Sequence, residues 1–157
     1  MKNIKKAKTP PTIKQYRIAA IKSEVADFPQ TQITSSQIAY DVIKQFYSDD
    51  IEIYESFFIL LLNRANITTG YAKISQGGIT GTVVDPRIVL KYAVDSLACG
   101  VIVAHNHPSG NLTASDSDKQ ITAKLKQALA LIDTNIIDHI ILTPENGYYS
   151  FLDNGLL

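Results

Sequence analysis

The chain has 157 residues, 45% of them hydrophobic, with 15 basic and 15 acidic side chains, enough for one domain with a sizeable core. No apolar run approaches the roughly 18 residues that a membrane-spanning helix needs, and the N-terminus lacks the apolar core of a signal peptide. One cysteine excludes an internal disulfide and suits a reducing, cytoplasmic setting.

The net charge of zero conceals an asymmetry. Lys2, Lys5, Lys6, Lys8, Lys14, Arg17 and Lys22 stand in the first 22 residues with no acid among them, so the remainder of the chain is acidic. Such an arm could touch nucleic acid. A short Lys-rich stretch around Thr9-Pro10-Pro11 is more often a solvated terminus, and DNA binding is not supported. Residues 1–34 are read as a basic lead-in and residues 35–157 as the domain proper.

Ser35 caps a predicted helix that runs to Tyr47, with Ile38, Val42, Ile43 and Phe46 at helical spacing. Phe57 to Leu62 is a continuous apolar run and reads as a buried strand, followed by a turn over Asn63–Asn66. Thr68–Ser75 and Thr80–Val84 flank Gln76-Gly77-Gly78, which suggests a hairpin. Pro86 opens a helix with Leu90, Ala93, Val94 and Leu97 inward and Arg87, Lys91 and Asp95 outward. Cys99, near the end of that helical stretch, is expected to be a small core residue.

Gly100-Val101-Ile102-Val103-Ala104 reads as a second buried strand. If it extends to His107, alternation puts His105 and His107 on one face and Asn106 on the other, and Pro108 ends the strand. Ser115-x-x-Asp118 precedes a stripe of Ile121, Leu125, Ala128, Leu129 and Ile132, so Asp118 falls in the first turn of a helix. Taken alone, the Ser115/Asp118 pair is a capping box with Asp in place of Glu. Beside two same-face imidazoles it also completes a three-ligand divalent-metal site. Three protein ligands leave a tetrahedral ion one open position, the mark of a catalytic zinc site. A last strand is expected over Ile136–Leu142, then a terminal turn with Pro144 and Gly147. His139, in that strand, reads as a hydrogen-bonded structural histidine rather than a fourth ligand, and Asp138 likewise. The elements together describe an α/β chain of the α+β type, a mixed sheet flanked by helices.

The run His105-Asn106-His107-Pro108-Ser109-Gly110, then Ser115 and Asp118, resembles the JAMM motif of the JAB/MPN metallopeptidase fold, and in particular the bacterial RadC family. The resemblance runs from about Glu55 to the C-terminus. It implies a mixed, mostly antiparallel sheet of cytidine-deaminase-like architecture and a Zn2+ ion held by His105, His107 and Asp118. It also implies a glutamate on an early strand as general base, and Glu55 occupies the matching place, with Glu52 as competitor; on spacing alone Glu55 would be a solvated residue at a strand start. Ser115 is implied to stabilise the oxyanion. Ala114 stands where the family usually has proline, and Ile88 where it commonly has glutamate, without touching a ligand. The helix-hairpin-helix region common ahead of such domains is not expected, since no glycine precedes Gly70.

The implied activity is zinc-dependent hydrolysis of a peptide or isopeptide bond in a peptide or protein substrate, with no membrane partner and with room for a homo-oligomer. An HNH nuclease, suggested by the letters His-Asn-His, fails because such enzymes spread those residues over a ββα-metal unit. A binding module associated with DNA repair or a mobile element, its metal site vestigial, is the remaining alternative.

Overall fold

The seven residues of strand β1, Ser56–Leu62, are all buried, as expected of an apolar run at the centre of a sheet. The structure is a computed structural model that describes residues 28–78, 81–145 and 147–157, apart from the side chains of Asp49 and Asp50. The basic residues of the lead-in lie outside this range. Strands β2 (Thr68–Gln76), β3 (Gly100–Asn106), β4 (Asn135–Leu142) and β5 (Tyr148–Ser150) complete a five-stranded sheet in the order β2-β1-β3-β4-β5. Only β3 and β4 pair in parallel. A parallel pair needs a crossover, and helix α3 (Asp116–Ala130) supplies it.

Side-chain alternation sorts the core into two layers. Phe57, Ile59, Leu61, Val101 and Val103 pack with Val89 and Ala93 of helix α2 (Pro86–Asp95) and with Leu125 and Leu129 of α3. Leu60, Leu62, Ile102 and Ala104 pack on the opposite face with Ala39, Tyr40 and Ile43 of helix α1 (Ser36–Ile43). Odd-numbered positions of β1 and β3 therefore face α2 and α3, and even-numbered positions face α1. No helix of the described residues is long and apolar enough to cross a membrane.

Several expectations are corrected. The hairpin partner over residues 80–84 does not form: residues 81–84 carry no strand, and Thr80 lies outside the described residues. The reason is a competing ladder. Gly77 donates its N–H to the Glu55 carbonyl at 2.8 Å, and Glu55 donates to the Gly78 carbonyl at 3.2 Å. The glycines thus extend the pairing of β2 with β1 rather than turning the chain back. The inward stripe of α2 is Val89 and Ala93, while Val94 and Leu97 are exposed. Leu97 adopts φ 53° just beyond the helix, with Ala98 N–H bonding to the Ala93 carbonyl and Leu97 N–H to the Val94 carbonyl. This Schellman closure turns Leu97 outward and Ala98 inward. Cys99 follows with its side chain exposed, not in the core; only its backbone is engaged, with Leu62 and Asn135. Helix α1 ends at Ile43 and tightens into a 3-10 turn over Lys44–Phe46. The expected terminal turn contains β5, whose Tyr149 pairs with Ile141.

Candidate metal centre

His105 pairs with Phe57 across the β1–β3 ladder, so its imidazole lies on the α2/α3 face at the end of β3. His107 follows two residues later, its backbone N–H still bonded to the Leu142 carbonyl at 2.8 Å. The chain then turns over Pro108 and Ser109, closed by Gly110 N–H donating to the His107 carbonyl at 3.0 Å. Proline at the second position of such a turn and glycine at the fourth match its preferences. Gly110 has φ 77°, and an added Cβ would sit 3.1 Å from Glu145 Oε2. Both expected histidines are side by side, with Nε2 atoms 2.9 Å apart.

Asp118 reaches them from the first turn of α3. Ser115 is the N-cap of that helix: its hydroxyl accepts from Asp118 N–H at 3.1 Å, while its own N–H and hydroxyl each donate to Asp118 Oδ2 at 2.7 Å. The capping box and the site are therefore one structure. With Oδ2 held by Ser115, Asp118 Oδ1 is turned to His105 Nε2 at 3.2 Å, and His107 Nε2 is 3.7 Å from Oδ2. Burial pushes the Asp118 carboxyl up. The hydrogen bond and charge of His105, with the Ser115 hydroxyl and amide, outweigh it and hold the group well below the usual carboxylate range. It is ionised.

The donor set can be read further at His107. Its Nδ1 lies 2.6 Å from the Asn111 carbonyl oxygen, which can only accept, so Nδ1 carries a proton and Nε2 is the nitrogen that can give a lone pair to a cation. His105, His107 and Asp118 each offer one ligand atom, and these atoms all lie within 4.8 Å of one another. An imidazole lone pair beside a second imidazole nitrogen and a carboxylate is an arrangement that calls for a cation. The group fits a divalent metal ion.

Glu55 immediately precedes β1, half-buried, and shares the odd-numbered parity that aims Phe57 at His105. It lines a cleft of about 670 Å³ together with His105, His107, Ser115 and Asp118. Glu52, in a 3-10 turn over Asp49–Glu52, is exposed and does not line that cleft. Tyr47, half-buried, donates its hydroxyl to the Ser56 carbonyl at 3.0 Å. Burial, and secondarily the charge of Glu55, push the Tyr47 hydroxyl well above its usual range, so it stays a neutral donor.

A family model described as RadC-like JAB domain matches residues 33–156. The chain belongs to this family. A UPF0758 protein of Flavobacterium johnsoniae is 44% identical over 125 residues, which cover 80% of this chain and 53% of that protein. Another from Porphyromonas gingivalis is 38% identical over 125 residues, 80% of this chain and 54% of its own length. In Escherichia coli, UPF0758 protein YfjY is 43% identical over 124 residues, 79% of this chain and 76% of that protein. The RadC-like chain thus spans about half the length of the first two relatives.

Parity alone assigned Asn106 a face but not its partners. It points to the α1 face, as alternation requires, and is fully buried. Its Oδ1 accepts from Ser56 N–H at 2.8 Å, and its Nδ2 donates to the carbonyls of Ile51 at 2.7 Å and Tyr54 at 2.8 Å. One side chain therefore clamps the residues on both sides of Glu55 to the strand that carries the histidines. The available signal was a buried amide in an otherwise apolar strand, since such a group needs partners. His139 is a hydrogen-bonded partner of His105, at 2.8 Å, and not a member of the His105–His107–Asp118 group. Asp138 accepts from the N–H groups of His139 and Leu152 and from the Ser150 hydroxyl, which fastens the C-terminal turn.

Proposed function

We propose that this RadC-like domain is a zinc-dependent hydrolase of peptide or isopeptide bonds, with His105, His107 and Asp118 as ligands and Glu55 as general base. The observation that carries the reading is the convergence of those three ligand atoms in the same cleft that Glu55 lines. When bound, the ion supplies a Lewis acid and lowers the pKa of water toward neutrality. Two imidazoles and one carboxylate are a ligand set suited to zinc and leave a position open. Glu55 takes the proton of the attacking water and returns it to the leaving amine, the two halves of general acid–base work. Ser115 stands at the rim; its hydroxyl proton is engaged by Asp118 Oδ2, so its use as an oxyanion donor requires rotation of that hydroxyl toward the substrate. Asn106 holds Glu55 in register with the histidines.

The test is hydrolysis of two probes, an unmodified peptide library and a peptide joined through a lysine ε-amine. Zinc-loaded protein is expected to cleave at least one, to stop on chelation and to recover on zinc return. Intact probes with fully zinc-loaded protein would contradict the hydrolase reading and favour a binding module.

A further inference from the structure

Two buried polar side chains behind the ligands neither hold the ion nor line the cleft. Thr122 lies one turn beyond Asp118 in α3, and His139 lies in the middle of β4. Both are buried, and the His139 ring is stacked on Phe151 at 4.5 Å with Phe57 edge-on at 5.8 Å. Between those rings each of its two nitrogens meets a polar partner: Thr122 Oγ1 is 2.6 Å from Nδ1, and His105 Nδ1 is 2.8 Å from Nε2.

Proton counting fixes the direction of every bond in this chain. The Thr122 hydroxyl has one proton, and it lies 2.6 Å from the Asp118 backbone carbonyl, which can only accept. Thr122 therefore donates to that carbonyl and accepts from His139, so the His139 proton is on Nδ1. The same count runs back from the ligand end: a His105 that gives its Nε2 lone pair to the ion carries its one proton on Nδ1, and His139 Nε2, 2.8 Å away, accepts it.

We propose that Thr122 and His139 are positioning residues, a one-directional hydrogen-bond relay that sets the tautomer of His105 and so keeps its Nε2 lone pair on the metal position. The inference rests on the metal reading above and adds the source of its geometry. Asp118, Thr122, His139 and His105 belong to α3, β4 and β3, so the relay also ties the helix bearing one ligand to the strand bearing the other two. Outer partners of ligating histidines are worth 10–100-fold in metal affinity.

Thr122→Val tests it with little change of shape. Without the hydroxyl, the His139 proton has no acceptor at Nδ1. It moves to Nε2, donates to His105 Nδ1 and displaces the His105 proton to Nε2, where the ion would sit. In metal-free protein, ring-nitrogen NMR is expected to show the His139 proton on Nδ1 in the wild type and on Nε2 in Thr122→Val. Zinc affinity, measured by chelator competition, is expected to fall roughly tenfold or more in Thr122→Val and to recover in Thr122→Ser. Wild-type tautomers and affinity in a folded Thr122→Val protein would overturn the relay. Failure of the wild type to bind zinc would instead strike the metal reading, while the metal-free NMR comparison would still decide the relay.

Discussion

Glu55→Gln keeps the metal and loses turnover by roughly 10²–10⁴-fold, the usual worth of a positioned general base. The substitution is nearly isosteric and leaves the backbone bonds of Glu55 to Gly77 and Gly78 intact, so the cleft keeps its shape. Glutamine hydrogen-bonds to water but cannot accept its proton. Glu55 is not among the ligand group, so zinc content stays at the wild-type level. The measurement is kcat on whichever probe is cleaved, beside metal content. Unchanged kcat would move the base to another residue, Glu52 first. Its exposed place outside the cleft makes that outcome disagree with the geometry as well.

Asn106→Ala is expected to lower stability by about 2–4 kcal/mol and kcat by roughly 10²-fold, again without loss of metal affinity. Three partners lose their bond at once: the Ser56 N–H and the carbonyls of Ile51 and Tyr54. Each buried polar group left unpaired costs about 1–3 kcal/mol, and the figure is reduced here because part of this segment can reach water. Against a total of about 5–15 kcal/mol for an ordinary domain, the protein still folds. The kinetic effect follows from position: Glu55 sits between the clamped residues, and misplacing a catalytic group by about 1 Å can cost 10²-fold. Asn106 points to the α1 face, away from the ligands, so zinc affinity separates this effect from general collapse. Thermal unfolding, zinc titration and kcat together check it; a fall in zinc affinity matching the fall in kcat would show that Asn106 supports the whole site rather than Glu55 in particular.

Much of the site was legible because it depends on parity and local capping. His105 and His107 share a face by alternation along one strand. Asp118 is held by Ser115 within three residues, and both readings of that pair hold together. Counting back from Phe57 puts Glu55 on the same face as His105, a consequence of strand geometry once β1 is known to pair with β3. What escaped was set by contacts distant in sequence. Asn106 could be assigned a face but not its partners, which lie about fifty residues earlier. Thr122 likewise meets its partner, His139, from a different element, β4. The hairpin over residues 80–84 failed because Gly77 found Glu55, a choice that local turn preference cannot register. Leu97 was placed inward by extending the helical period onto a left-handed residue, where the period no longer applies, and Cys99 by the general preference of free cysteine for burial.

The central claim is that His105, His107 and Asp118 hold a divalent ion together. Metal analysis of the purified protein beside His107→Ala and Asp118→Ala tests it most directly. The expected result is about one zinc per chain in the wild type and little in either variant; equal, negligible zinc in all three would contradict it.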